Sequence, residues 1–156
     1  MTTQASGGLR HRIVVGVDGS EASKAALRWA FGQARLTGAV VEAVTAWEIP
    51  VAYGYPAPFL DEVNFPELAT KVLKDAISEV KAGTTEPLPV QYKVVEGNAA
   101  RVLLNESAGA DMLVVGSRGH GGFAEALLGS TGQHCVHHAT CPVVVIRDSA
   151  VGQRGR

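Results

Sequence analysis

Three short runs, Ile13–Val17, Met112–Val115 and Val143–Ile146, are apolar, rich in β-branched residues and uninterrupted by polar ones. Strands buried on both faces read this way, which is the mark of a parallel sheet covered by helices. Val40–Trp47 reads as a fourth strand. Pro89–Glu96 differs, because Val90, Tyr92 and Val94 alternate with Gln91 and Lys93, as in a strand with one wetter face at a sheet edge.

Helical periods fill the gaps between these runs. Ala22, Ala25, Ala26, Trp29 and Ala30 recur at i, i+3, i+4, i+7 and i+8 behind Ser20 as N-cap, with Glu21 suited to the first turn. Phe65, Leu68, Ala69, Val72, Leu73, Ala76, Ile77 and Val80 form a longer stripe. Val102, Leu103 and Ala108 form a shorter one behind Asn98. Gly38, Gly83 and Gly109 stand where left-handed C-caps would end these helices. A last helix covers Ser130–Ala139 and stops before Cys141-Pro142, since the residue before proline avoids the helical region. The expected order is βαβαβαβαβ, a doubly wound α/β fold of five strands and four helices. Ligands bind such sheets outside the carboxyl ends of the strands, where the winding reverses. The Pro-rich stretch 48–59 also follows a strand end and is expected to form a flap over that crevice. Its Tyr53 and Tyr55, with Trp29 and Trp47, read as packing or flap residues.

Length and composition narrow the classes. A chain of 156 residues, 46% hydrophobic and 19% charged, is expected to hold one self-sufficient domain over 12–147, without internal repeat. Small, polar, disordered tails are expected at 1–11 and 148–156. The formal net charge of −1 supplies no basic field for a phosphate backbone, so nucleic acid is a poor partner. No apolar run approaches the roughly 18 residues of a membrane span, and the first residues lack an apolar signal core, so a cytoplasmic protein is expected. Cys135 and Cys141 form no CxxC pair.

The chemistry concentrates after the fourth strand, where Gly116, Gly119, Gly121, Gly122 and Gly129 fall within fourteen residues. Glycines this dense suggest a backbone that approaches a ligand closely or adopts positive φ repeatedly. The loop enters the last helix, whose free N–H groups, with the hydroxyls of Ser130 and Thr131, favour an anion, phosphate above all. The loop matches neither GxxxxGK[ST] nor the GxGxxG of a dinucleotide site, because VGVDGS follows the first strand.

The loop fits G-x2-G-x9-G-[ST] as Gly116, Gly119, Gly129 and Ser130, and so resembles the ATP-binding signature of the universal stress protein family. VVGVDGS at 14–20, AVTAWE at 43–48, VVEGNAARVL at 94–103, ADMLVVGSRGHGG at 110–122 and HHATCPVVVI at 137–146 resemble the same family in matching order. The resemblance implies a Rossmann-like sheet of order 3-2-1-4-5, related to adenine nucleotide alpha-hydrolases. It places Asp18 against the ribose, the Ala46 backbone at the adenine edge, Gly116 and Gly119 along the ribose and α-phosphate, and Gly129 and Ser130 on the phosphates. The Thr131 hydroxyl joins them by inference from its position. Mg2+ would bridge phosphate oxygens without a dedicated carboxylate cage.

Other readings stand beside these. Asp18 can cap the turn in Asp-Gly-Ser, and the glycine loop can be a plain surface loop. Arg118 and His120 can pair with phosphate or be solvated. A nucleotide-dependent binding module is the leading expectation, since nothing identifies a base or an arginine finger. A slow ATPase or nucleotidyl-handling enzyme using His120 or Arg118, and an interaction protein without nucleotide, are the alternatives. Ser130, His120 and Asp18 lack the GxSxG elbow of a hydrolase. His134, His137 and His138 superficially suggest a metal, but they are expected on a wet helix face opposite Cys135. In the strand order that the resemblance implies, the final strand, Pro142–Ile146, lies at an edge, yet it reads as buried, and a homodimer pairing these strands is expected.

Overall fold

A computed structural model of the chain describes residues 11–52, 55–56, 62–118 and 128–147. The elements in chain order are β1 (Arg12–Gly16), α1 (Glu21–Thr37), β2 (Val40–Trp47), β3 (Val51–Ala52), β4 (Tyr55–Pro56), α2 (Phe65–Lys81), β5 (Val90–Glu96), α3 (Ala99–Glu106), β6 (Met112–Gly116), α4 (Ser130–His138) and β7 (Val143–Ile146). The main sheet is parallel throughout, in the order β5-β2-β1-β6-β7. Counted over its own five strands this is the expected 3-2-1-4-5. The antiparallel pair β3–β4 is an addition inside the 48–59 stretch, formed by two-residue strands too short to show a period.

Strand alternation divides the core into two layers. Ile13, Val15, Val17, Val41, Ala43 and Val114 face α1 and α2, where they meet Leu27, Phe31, Leu73 and Ile77. Val14, Val44, Leu113 and Val115 point the other way and meet Val102, Leu103 and Cys135 of α3 and α4. The winding reverses between β1 and β6, so the crevice lies at the carboxyl ends of those two strands.

The helix starts follow their caps. The Ser20 side chain accepts the Ser23 N–H, Asn64 that of Glu67, and Asn98 that of Arg101. Gly38 ends α1 in the left-handed region at φ 75°. Gly83 does not do this for α2. That helix ends at Ala82 in right-handed geometry, and the Gly83 N–H bonds to the Val80 carbonyl in a tightened last turn. In α3 the cap is Ser107, so Ala108 lies beyond the helix and is exposed, while Gly109 takes φ 80° in the following turn.

The stripes also need correction. Ala25 and Trp29 are only half-buried, and Leu27 and Phe31 fill the core instead. Leu68 and Val72 are exposed, because α2 rests on the sheet through Ala69, Leu73, Ala76, Ile77 and Val80. β5 is an edge strand as expected, but Tyr92 is exposed, with the Lys74 ammonium 5.5 Å from its ring centre. β7 is half-buried along its whole length rather than buried, because β6 covers only one of its sides.

His11, assigned to the N-terminal tail, is tied down. Its Nδ1 lies 2.9 Å from Asp111 Oδ2, which also accepts the Arg12 backbone N–H. That backbone hydrogen bond above all, against the opposing effect of burial and with help from the His11 side chain, holds the Asp111 carboxyl below its usual range. The remaining tail residues, the flap positions 53–54 and 57–61, and the loop 119–127 lie outside the described residues. Among the described residues, no helix is long and apolar enough to cross a membrane.

Candidate functional site

Two glycines end the two central strands and open the crevice. A Cβ on Gly16 would lie 2.7 Å from Leu103 Cδ1, and one on Gly116 would lie 2.7 Å from the Ala22 carbonyl carbon. The ends of β1 and β6 therefore pack against α3 and α1 without side chains, and space remains above them. A cavity of about 200 Å3 occupies that space.

Its walls divide by chemistry. Val17, Val44, Ala46, Ala99, Leu103 and Val115 make an apolar part, and Asp18, Ser20, Ser23, Arg118, Ser130 and Thr131 a polar part joined by the backbone of Gly116, Gly129 and Gly132. The turn after β1 is held by its own side chains. The Ser20 N–H donates to Asp18 Oδ1 at 2.9 Å, the Asp18 N–H to Ser23 Oγ at 3.3 Å, and Ser23 Oγ to the Ser20 carbonyl at 2.9 Å. Gly19 takes φ 84° in this turn, which only glycine adopts readily. Thr45 Oγ1, buried in β2, donates to the Val17 carbonyl at 2.8 Å and fixes the strand end from the other side. Asp18 thus shapes the turn and lines the cavity at once, so its two readings are compatible.

On the opposite wall, the Gly129 N–H donates to the Ser117 carbonyl at 2.7 Å and anchors the start of α4 beside β6. Gly129 is the N-cap and contributes no side-chain cap bond. The first turn of α4 therefore presents backbone N–H groups and the positive end of its dipole beside Ser130 and Thr131, both lining the cavity. Gly132, in the same turn, is buried. A Cβ there would lie 2.7 Å from Leu128 Cδ1.

Of the nine residues singled out from sequence, Asp18, Ala46, Gly116, Arg118, Gly129, Ser130 and Thr131 line this one cavity. Gly119 and His120 lie outside the described residues. Sequence reasoning missed Ser20, Ser23, Ala99 and Leu103. Their signal was positional, since the starts of helices that follow strand ends face the crevice of a doubly wound sheet, with Leu103 one turn farther in.

Two side groups stand apart. Cys135 of α4 is fully buried, and burial, then the nearby Cys141, pushes its thiol up to about 11. Among the described residues, no three His, Cys, Asp or Glu side chains cluster to hold a metal.

A sequence model of the universal stress protein family matches residues 10–147. A universal stress protein of Mycolicibacterium smegmatis is 38% identical over 144 residues, covering 86% of this chain and 47% of that protein. The chain thus spans about half the length of such curated relatives. Among solved structures, universal stress protein UspA from Lactobacillus plantarum is 25% identical with a TM-score of 0.65, over 88% of this chain and 97% of that one. A universal stress protein crystallised in complex with cAMP is also 25% identical with a TM-score of 0.65, over 89% and 98%. By sequence over nearly the whole described fold, the chain belongs to the universal stress protein family.

Proposed function

We propose that the cavity binds an adenine nucleotide, ATP, and that the chain acts as a nucleotide-dependent binding module in a cytoplasmic stress response. One observation carries this reading. A single cavity joins an apolar part, suited to a base, to the N-terminus of α4, whose N-cap Gly129 supplies no side-chain bond, suited to phosphate. The similar protein crystallised with cAMP supports the nucleotide class. The open phosphate chain of ATP carries more charge to the helix terminus than a cyclic monophosphate, which favours ATP.

In this reading Asp18 takes the ribose hydroxyls, the Ala46 backbone the adenine edge, and Gly116 with Gly119 the ribose and α-phosphate. Gly129, Ser130 and Thr131 hold the remaining phosphates, with Arg118 and His120 pairing their charge. Mg2+ would be carried by phosphate oxygens. Calorimetric titration is expected to show ATP binding more tightly than AMP or cyclic AMP. Asp18→Ala should weaken ATP by roughly tenfold, the scale of a lost hydrogen bond to a charged group. Equally weak heats for all three nucleotides would sink the proposal, and rapid cleavage in a single-turnover assay would replace the module with an enzyme.

The same proposal includes a homodimer paired through β7. This edge strand is apolar and half-buried throughout, and Val136 of neighbouring α4 is 48% exposed. Relatives about twice as long have room in one chain for what a second copy would provide. Sedimentation at micromolar concentration should give a dimer, and Val144→Lys a monomer, because a charge on an edge strand opposes pairing. A monomeric native chain would refute the arrangement.

A further inference from the structure

The outer face of α4 carries His134, His137 and His138, all exposed. Spacing alone makes this a solvated face, but the ring positions say more. His134 and His138 stand one turn apart with ring centres 4.6 Å apart and planes tilted by 43°. His137 is farther round the helix, 6.4 Å from His138 and edge-on to it.

With metal–nitrogen distances of about 2.0–2.1 Å, two imidazoles on adjacent positions of one ion have ring centres roughly 4.5–5 Å apart. The His134–His138 pair already has that separation. We propose that these two side chains form a bidentate site for a borderline divalent transition metal ion, Cu2+ or Zn2+, on the outside of α4. The helix backbone holds the second imidazole close to the first, so the second bond forms at high effective concentration. Cys135 takes no part, since it is fully buried while the two histidines are exposed.

Among the described residues no third protein ligand completes the group, so water fills the other positions and the ion stays open to exchange. Imidazole nitrogen favours Cu2+ most, then Ni2+ and Zn2+, and discriminates against the hard, oxygen-seeking Mg2+. The ion that accompanies nucleotide phosphates would therefore not compete here. The site requires no nucleotide, so its test is independent of the cavity.

The test is calorimetric titration of CuCl2, ZnCl2 and MgCl2 into the full chain without nucleotide. One Cu2+ per chain is expected, bound more tightly than Zn2+, with no heat from Mg2+. His134→Ala and His138→Ala should each weaken Cu2+ by roughly tenfold or more, the loss of a tethered second ligand. His134→Gln, which keeps a polar side chain but offers no ring nitrogen, should match His134→Ala, and His137→Ala should bind as the native chain does. All four variants change exposed positions and leave the core untouched, and circular dichroism would verify the fold. Native-like Cu2+ binding by either His134→Ala or His138→Ala, or an equal loss in His137→Ala, would overturn the proposal.

Discussion

Gly116→Ala is expected to destabilise the protein by about 1–3 kcal/mol and to remove nucleotide binding with it. Gly116 lies outside the left-handed region, so the requirement for glycine is contact rather than conformation. The new methyl would lie 2.7 Å from the Ala22 carbonyl carbon and 2.8 Å from both its oxygen and its Cβ. These atoms belong to the first turn of α1, which cannot retreat without losing the Ser20 cap and the packing of Ala26 and Leu27. Any shift that relieves the clash also moves Gly116 and Arg118, two walls of the cavity.

Gly132→Ala is the matched comparison. Its methyl would meet the end of the Leu128 side chain at 2.7 Å, and a rotamer change can relieve that contact. Alanine also gains about 1 kcal/mol of helix propensity over glycine. Urea unfolding should show a lowered midpoint with unchanged slope for Gly116→Ala and a small change for Gly132→Ala. Native stability in Gly116→Ala would show that α1 yields there freely.

The second large effect belongs to the core. Leu27→Ala should cost about 2–5 kcal/mol, since Leu27 is fully buried against the sheet and its removal leaves a void in close-packed surroundings. Leu36 lies on the same helix but is 81% exposed, and Leu36→Ala should stay within about 0.5 kcal/mol of the native chain. Identical chemistry on one helix would then separate by burial alone, again measured as urea midpoints. Similar midpoints for the two variants would mean that α1 does not pack on the sheet through Leu27.

Much of the fold was legible because its signals are local. The runs at β1, β2, β6 and β7, the caps Ser20 and Asn98, and the left-handed Gly38 each state a backbone preference within a few residues. Errors arose where a local pattern was compatible with several tertiary surroundings. Leu68 and Val72 fit the apolar period of α2 as well as Leu73 does, yet the angle at which the helix meets the sheet leaves them in water. Gly83 could have ended α2, but a tightened last turn through Ala82 satisfied the same carbonyls.

The candidate site shows the same division. The expectation of an anion at the α4 entrance rests on Gly129, Ser130 and Thr131 themselves, because backbone donors at a helix start need no distant partner. The roles of Ser20, Ser23, Ala99 and Leu103 depend on which helix is brought beside which strand end, so no short window displays them.

The chain's own letters thus decided the order and type of the main elements and the parallel sheet, since periodicity and capping act over one or two turns. Only the tertiary structure decided which half of each apolar stripe is buried, that Gly16 and Gly116 must be bare for α3 and α1 to approach, and that His134 and His138 hold their rings 4.6 Å apart. Those outcomes are set by distances between groups remote in sequence or free to rotate, and distance in three dimensions is a property that linear order does not carry.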